Sequence, residues 1–591
     1  MTSKFRNLLS NDAVIFGLIF LGGLLYTLPV TPALEFFRHT EADRTLLGWE
    51  MYQNGNFAIP HLLGDQYLTK PPLYYWALAA AFAVIGEPLE WAARSISGLS
   101  AALLLAFFFL FLRQVGWQRP FALLSTAILG ASAQFFQYSI KAEIDMLYSL
   151  LCGLALFVGY LSFIRPRRLN CILLASILVG LSLLTKGPPV LIFYGSGIFF
   201  FSLYQLVTTD KHQRRKVLGQ FLLLHSFGAV VFCSIVAIWI LAVLQSVPWS
   251  DLKFLFQDQI IQRFIADTNA TLRAKPFYFY LVKIIAGLLP WSCLALGYVL
   301  PLKQNIDQSP QPEISLTQKN SLIFALCVIV PTICIFSLSS GKSGRYLFPI
   351  YPFLAYLLAY GSTLLRGSQL ERWLWWLCRL TCFAAAIGAI VMVYYFWHKI
   401  PIFALLASAF TILLAFAPLY FGTRNTPEKK RISLLCYFTL ALVALRIPYA
   451  LVYAPLANQE KSVKPIAQAI EQVLTAAEPL YLLELFERWI PYYLVRQGRS
   501  VFRLTPELAA KLSSQHDSKI HILINKAEEH WRLKQVEIYD PSMQVVRTFY
   551  TSKDEYLLVQ VRSDMAHYFK PKKIYPTVPS KPTRLTRNGH D

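Results

Sequence analysis

The chain has 591 residues, of which 55% are hydrophobic and only 15% carry a charged side chain. A soluble globular chain is about one quarter charged, so this composition excludes an ordinary soluble protein. The formal net charge of +22 would suit a nucleic-acid-binding protein. However, many basic residues lie in short clusters between apolar runs, for example at 165–168 and 211–216. That distribution orients membrane helices, and the sequence contains no nucleic-acid-binding motif.

Repeated apolar runs near the ~20 residues that cross a hydrocarbon core predict an all-α polytopic membrane bundle. The first run follows Lys4 and Arg6, as in a signal peptide, but its length and the lack of a clear cleavage site indicate an anchor. The runs predict about thirteen spans, near residues 13–30, 95–113, 119–137, 143–164, 169–185, 188–207, 220–247, 278–302, 321–338, 346–365, 375–397, 400–421 and 433–455.

The apolar stretch 73–85 is too short for a span and predicts an interfacial or re-entrant helix. Charge placement favours the same choice. If the N-terminus is inside and this stretch is left out, every basic cluster of the loops between spans lies inside, whereas counting it would place them all outside. The outer face then receives the loops 31–94 and 248–277, the turns 186–188 and 339–345, and the C-terminal segment.

From about residue 457 the composition becomes that of a soluble domain. Alternating and helical patterns predict a small α/β domain outside the membrane. The predicted domains are a transmembrane catalytic domain at 1–456, this α/β domain at 457–570, and a disordered basic tail at 571–591. The predicted strands are 480–484, 500–504, 519–525, 535–539 and 556–561, and the predicted helices are 463–475 and 505–513.

Metal and thiol chemistry have little support in the sequence. The nine cysteines all fall within or at the ends of apolar runs, where a thiol packs as a small hydrophobe. None has zinc-ligand spacing, and His61 has no second ligand at suitable spacing. We therefore predict no cofactor, while leaving a divalent metal open.

Ionisable residues near membrane helices are functional candidates because burying them is costly. A carboxylate there can remove a proton from an acceptor hydroxyl, while Lys and Arg can hold a phosphate group and stabilise its growing charge. The aromatic residues Tyr74, Tyr75 and Trp76 are placed to guide a lipid tail. The candidates on the predicted outer face are Glu41, Asp43, Lys70, Glu143, Asp145, Lys186, Asp258, Arg263, Arg273, Lys342 and Arg345.

Simpler explanations exist for several of these residues. Glu41 and Asp43 would be stable at a solvated helix N-terminus. Lys70 could extend along the interface to water, and Asp145 could cap a helix. Glu143 is interpreted as a rim residue.

These residues carry a resemblance to a known family. The chain resembles the GT-C glycosyltransferases of the protein O-mannosyltransferase superfamily, and in particular the bacterial branch that includes the lipid A aminoarabinose transferase. The similarity covers roughly residues 10–355. The matching stretches are EADR and MYQNGNFAIPHLLGDQYLTKPPLYYW (within 41–76), AEIDML (142–147), LLTKG (183–187), IIQRF and PFYFYLVKIIAGLLPW (within 260–291), and FSLSSGKSGRYLFPIYP (336–352).

The resemblance implies a GT-C fold and an inverting sugar transfer. The implied donor is a polyprenyl-phosphate sugar, and the acceptor is a hydroxyl of a lipid, a surface polymer or a protein. The implied place is the extracytoplasmic face of the plasma (inner) membrane. Carried onto matching positions, the acids are Glu41 or Asp43 in the first loop and Asp145 as a second acid. The implied substrate-binding residues are Lys70, Tyr74, Lys186, Arg263, Lys342, Arg345 and Tyr346.

Three departures from the family pattern limit the transfer of roles. The first-loop acids are separated by an alanine, with Thr40 at the usual first position, so the base remains open between Glu41 and Asp43. Thr69 replaces an acidic residue before the Lys-Pro lysine, and Arg273 replaces a histidine. These changes weaken the case for a bound metal and for aminoarabinose itself.

The sequence leaves two other classes of function open. A transporter or flippase for an anionic lipid or solute often shows internal repeats and charges at mid-membrane depth. The sequence shows no repeat, and its candidate charges are predicted at one face. A third class is a non-catalytic sensor or scaffold that acts through the C-terminal domain.

Overall fold

The computed structural model describes the chain in segments. These are residues 12–28, 32, 34–36, 39–249, 275–289, 291–299, 314–339, 341–364, 383, 387–388, 390–421, 446–475, 478–483, 489–514, 519–525, 543–550 and 555–568. Predictions for the basic tail 571–591, the strand 535–539, most of the spans 375–397 and 433–455, and Asp258, Arg263 and Arg273 lie outside these residues.

Helices dominate the described residues. In chain order they are α1 (Asp12–Thr27), α2 (His39–Asn54), α3 (Leu73–Ile85), α4 (Glu90–Gln114), α5 (Arg119–Ala131), α6 (Ala133–Ser139), α7 (Ile144–Ile164), α8 (Arg168–Lys186), α9 (Pro189–Thr208), α10 (Lys211–Leu244), α11 (Phe279–Gly287), α12 (Leu296–Val299), α13 (Leu316–Leu338), α14 (Tyr351–Leu364), α15 (Ile402–Phe421), α16 (Arg446–Pro448), α17 (Ala454–Lys461), α18 (Lys464–Glu471), α19 (Trp489–Arg496) and α20 (Pro506–Ser513). Single-turn or irregular helical segments add Trp291–Ala295, Gly344–Ile350, Tyr449–Tyr453 and Ser563–Tyr568.

Strands form two small sheets. They are β1 (His61–Leu62), β2 (Asp65–Gln66), β3 (Leu480–Leu482), β4 (Val501–Arg503), β5 (Lys519–Asn525), β6 (Gln544–Tyr550) and β7 (Glu555–Arg562). The chain divides into two compact units. The first unit comprises Met1–Leu34, Arg94–Ala242 and Phe254–Leu456, and the second comprises Glu35–Ala93, Val243–Lys253 and Ala457–Asp591.

In the first unit, α1 and α4 run antiparallel. The Phe16 and Phe107 rings lie 5.2 Å apart, while a Cβ on Gly23 would lie 2.8 Å from the Ala102 Cα. At the far end of this pair, Asp12 accepts from Arg113 at 3.0 Å and from Arg119 at 2.7 Å. The segment between α1 and α4 therefore begins and ends on one side of the bundle. This agrees with leaving 73–85 out of the span count.

Two hydrogen bonds show at which end of the bundle other helices of the first unit begin and end. Ser97 Oγ donates to the Glu143 carbonyl at 3.3 Å, which places the starts of α4 and α7 together. Tyr160 Oη donates to the Thr317 carbonyl at 3.2 Å, so α7 ends where α13 begins. The clusters 165–168 and 211–216 follow the ends of α7 and α9. They therefore lie at the Asp12 end, opposite to Glu143.

Seven described helical segments are long and apolar enough to cross a membrane: Glu90–Gln114, Ile144–Ile164, Arg168–Lys186, Pro189–Thr208, Lys211–Leu244, Leu316–Leu338 and Gly344–Leu364. The chain is thus a multi-pass helical membrane protein, and the total of thirteen spans stays a prediction. Two predicted spans are interrupted. The run 119–137 breaks at Ser132, which is extended and whose hydroxyl bonds the Leu129 carbonyl. The described residues of the run 278–302 form α11, a 3₁₀ turn and α12.

In the second unit, α2 and α3 pack closely. A Cβ on Gly48 would lie 2.5 Å from the Leu78 Cβ, so only glycine permits this approach. Five strands form the larger sheet, in the order β4-β3-β5-β7-β6. β4, β3 and β5 run parallel to one another. β7 lies between β5 and β6 and pairs antiparallel with both. The predicted α/β domain is confirmed in type, although α19 and the largely exposed edge strand β6 were not predicted.

Candidate functional site

A buried ion pair joins two neighbouring helices of the first unit, at the end of the bundle opposite to Asp12. Lys186 Nζ lies 2.5 Å from Asp145 Oδ1, and the two side chains are 13% and 4% exposed. Asp145 is in the first turn of α7 and Lys186 is the last residue of α8. Each charge therefore complements its own helix dipole as well as its partner. Burial of both groups explains why a pair is needed.

Aromatic rings surround the lysine of this pair. Lys186 Nζ lies 5.2 Å from the centre of the Tyr148 ring and 5.5 Å from that of Tyr346. Tyr148 stands one helical turn after Asp145, and Tyr346 comes from the 3₁₀ segment Gly344–Ile350. Cation–π contacts of this kind stabilise a desolvated ammonium. The structure thus brings together Asp145, Lys186 and Tyr346, as the resemblance implied.

Three lysines lie close to the 3₁₀ segment Gly344–Ile350. Lys342 Nζ donates to the Lys275 carbonyl at 3.1 Å, and Lys275 Nζ donates to the Lys342 carbonyl at 2.7 Å. Lys275 and Lys283 lie 4.8 and 5.8 Å from the Phe279 ring centre. Lys342 was expected here, whereas Lys275 and Lys283 were missed. Lys283 is in the matching stretch PFYFYLVKIIAGLLPW, and Lys275 directly precedes that stretch. A lysine within or beside a predicted span was the available signal. We refer to Lys275, Lys283 and Lys342 as the lysine cluster.

Charged residues are also buried at the start of α2, in the second unit. Glu41, Asp43 and Arg44 are 3%, 5% and 8% exposed. The simple explanation of a solvated helix N-terminus is therefore wrong for both acids. Arg44 Nη1 donates to the Tyr75 hydroxyl at 3.2 Å. Arg44 and Tyr75 were not among the predicted site residues, although Arg44 closes the EADR motif.

Lys70 and Tyr74 lie at the entrance to α3. Lys70 is half-buried in the turn before the helix, and Tyr74 and Tyr75 are fully buried. Their rings meet edge to face at 6.1 Å. Trp76 Nε1 donates to the Phe57 carbonyl at 2.7 Å, which attaches α3 to the preceding loop.

The loop before Lys70 is a two-residue hairpin with an unusual turn. β1 pairs with β2 through Leu63 and Gly64, whose φ angles are +55° and +87°. The Glu50 carboxylate accepts from the Leu63 amide at 2.6 Å and from the Gly64 amide at 3.2 Å. Those two bonds stabilise a left-handed conformation that a leucine rarely adopts.

Burial shifts the pKa of the titratable groups around this hairpin. It raises the pKa of Glu50 to about 7, although the two turn amides oppose the shift. Burial also raises the pKa of Asp65 to about 6, against the opposing effect of Arg503. The pKa of His61 is lowered by burial.

The candidate residues thus form groups within each unit. Asp145, Lys186, Lys342 and Tyr346 lie at one end of the first unit, and Arg345 is half-buried between Lys342 and Tyr346 in sequence. Glu143, interpreted as a rim residue, is in fact buried, being 4% exposed. In the described part of the chain, no three His, Cys, Asp or Glu side chains are grouped so as to hold a metal ion. The gathering of both groups in one cavity stays a prediction.

Comparison with known proteins agrees with this geometry. A family described as dolichyl-phosphate-mannose-protein mannosyltransferase matches residues 69–239. The undecaprenyl phosphate-alpha-4-amino-4-deoxy-L-arabinose arabinosyl transferase 1 of Pseudomonas fluorescens (strain Pf0-1) is 28% identical over 332 residues, which are 55% of this chain and 52% of that protein. The corresponding transferase of Serratia proteamaculans (strain 568) is 26% identical over 357 residues, which are 59% of this chain and 58% of that protein. The alignments thus span little more than half the length of these relatives.

A solved structure resembles nearly the whole chain. The crystal structure of ArnT from Cupriavidus metallidurans bound to undecaprenyl phosphate has a TM-score of 0.64 and 19% identity, covering 93% of this chain and 97% of that one. The chain has the ArnT fold. The family match and the similar transferases, together with this fold, confirm the predicted resemblance to the GT-C superfamily and its aminoarabinose-transferase branch. The family match begins at residue 69 and therefore includes Lys70, whereas Glu41 and Lys342 lie outside the matched residues.

Proposed function

We propose that this protein is a membrane glycosyltransferase that moves a sugar from a polyprenyl-phosphate carrier to a hydroxyl of a lipid, a surface polymer or a protein. The observation that carries the proposal is the buried Asp145–Lys186 pair beside the lysine cluster, at one end of the first unit. The donor class is supported by the similarity to transferases whose names specify an undecaprenyl phosphate sugar.

Each group has a role in such a reaction. Glu41 or Asp43 removes the proton of the acceptor hydroxyl as its oxygen attacks the anomeric carbon. The bond from that carbon to the phosphate oxygen breaks, the configuration inverts, and the polyprenyl phosphate leaves with an added negative charge. Lys70, Lys186, Lys342 and Arg263 stabilise that charge. Asp145 pairs with Lys186 and directs its ammonium group into the site.

The proposed location is the extracytoplasmic side of the inner membrane. Support comes from the first unit, where basic clusters lie at the Asp12 end and Asp145 lies at the opposite end. The positive-inside rule assigns the basic end to the cytoplasm. Labelling of introduced cysteines in intact cells with an impermeant maleimide tests this. Gly341→Cys should react and Arg165→Cys should not, and the reverse pattern would overturn the assignment.

Purified full-length protein in nanodiscs tests the activity. A panel of polyprenyl-phosphate sugars is supplied, and glycosylated lipid is detected by mass spectrometry. We expect Glu41→Gln/Asp43→Asn, and Lys70→Ala alone, to abolish transfer without loss of membrane insertion. Glu87→Gln is the matched control, because Glu87 is an exposed first-loop carboxylate. Normal transfer by the first two variants would refute the roles, and carrier movement across vesicles without product would favour a flippase.

A further inference from the structure

The second unit joins distant parts of the sequence. It contains the first loop, Glu35–Ala93, together with the C-terminal segment from Ala457 onward. The sequence assigned no role to that C-terminal domain. Among the described residues, one group of its polar contacts joins the two ends of the first loop, and another joins the hairpin before Lys70.

At the first place, one lysine bonds both ends of the loop. Lys464 Nζ lies 3.2 Å from Glu35 Oε1 and 3.5 Å from Glu90 Oε1. Arg496 Nη1 lies 2.8 Å from the other Glu90 oxygen. The Glu35 and Glu90 side chains are 15% and 12% exposed, so these carboxylates are mostly shielded from water.

Neighbouring hydrogen bonds reinforce the same place. Ser462 Oγ donates to Glu35 Oε2 at 2.5 Å, and Tyr492 Oη donates to the Pro88 carbonyl at 2.7 Å. The Phe36 amide donates to Tyr493 Oη at 3.4 Å. The start and the end of the first loop are thus attached to α17–α19 and the residues between them.

At the second place, the domain holds the hairpin. Arg503 Nη1 lies 3.5 Å from Asp65 Oδ2, and its side chain is 11% exposed. The Arg503 amide donates to the Leu63 carbonyl at 3.5 Å. Glu50 holds the same turn from the side of α2, the helix that begins with the candidate acids. The hairpin closes with a bond from the Tyr67 amide to the Pro60 carbonyl, three residues before Lys70.

We propose that the C-terminal domain is a positioning element for the first loop, in which Lys464 and Arg496 hold the ends of the loop and Arg503 holds the hairpin that leads into Lys70. This proposal rests on the proposed function, since it assigns these residues an effect on donor binding through Lys70. Arg503, Lys464 and Arg496 are positioning residues, because they act through first-loop groups. The domain thereby becomes necessary for the reaction without supplying a group to it.

Hydrogen–deuterium exchange on the full-length protein tests the attachment, and transfer kinetics test its consequence. In Arg503→Ala we expect the Leu63 and Gly64 amides to exchange about tenfold faster, as expected for loss of one charged contact. Strands β5 and β7 should keep their protection. The KM for the polyprenyl-phosphate sugar should rise several-fold, with a smaller change in kcat, and Arg503→Lys should restore part of it.

Two further variants keep the test decisive. Asp65→Asn removes the charge from the loop side and leaves the domain intact, so it should reproduce the hairpin exchange. Lys511→Ala is the matched control, because Lys511 is an exposed lysine of the same domain, and it should match the wild type in both measurements. Unchanged exchange at the hairpin in both Arg503→Ala and Asp65→Asn, or an unchanged KM, would overturn the proposal. Failure of the wild type to transfer sugar would instead refute the proposed function, while the exchange data would still report on the attachment.

Discussion

Replacing Lys186 by methionine is expected to destabilise the protein strongly, because it leaves Asp145 as a buried charge. Asp145 is 4% exposed and Lys186 Nζ lies 2.5 Å away. Removing one member of a buried pair costs about 3–5 kcal/mol. The two aromatic contacts of Lys186 add about 1 kcal/mol to the loss.

The double variant Asp145→Asn/Lys186→Met separates charge from packing. Because no unpaired charge remains, most of the loss should be recovered, leaving the double variant about 1–2 kcal/mol below the wild type. The costs of the two single variants should therefore add up to clearly more than the cost of the double variant, which is the signature of a coupled pair. All three variants should lose most sugar transfer, since Lys186 is absent or no longer held.

The assay is unfolding of purified protein in detergent, followed by tryptophan fluorescence, beside transfer measured in nanodiscs. Asp145→Asn alone completes the cycle. Equal destabilisation by the Lys186→Met and double variants would refute the reasoning about a coupled pair. Wild-type transfer by Lys186→Met would refute its place in the site.

Three other outcomes follow from the structure. The raised pKa of Glu50, about 7, means that its neutral form favours folding, so stability is lost as the pH rises from the unfolded value of about 4.5 through 7. The unfolding temperature of the wild type should therefore fall between about pH 4.5 and pH 7, with Asp65 contributing in the same direction, and Glu50→Gln should reduce that fall. Gly48→Ala should destabilise the second unit by about 1–3 kcal/mol, because its Cβ would meet Leu78 at 2.5 Å; an unchanged unfolding curve would contradict this contact. Lys275→Ala/Lys283→Ala should raise the KM for the phosphate-bearing donor and weaken its salt dependence, whereas equal salt dependence would show that these lysines lie outside the donor's field.

Several site residues could not be found from sequence because their significance depends on contacts. Arg44 and Tyr75 are ordinary within an aromatic and charged loop, and only the fold places the guanidinium on the phenol. Lys275 lies in a predicted loop and Lys283 in a predicted span, and only the fold brings them close to Lys342 and Gly344. Edge strand β6 was missed because it is mostly exposed and lacks a clear apolar alternation.

The sequence by itself determined the membrane class and the course of most described spans, because span length is a local property of the chain. It also predicted an orientation in the membrane, because loop charge is local too. It also pointed to Asp145 and Lys186, since charges at helix ends in an apolar chain are conspicuous. The tertiary structure alone decided that these two form one buried pair. It also decided that Glu35 and Glu90 meet Lys464, because contacts between residues hundreds of positions apart depend on how the elements pack and leave no periodic trace in either segment.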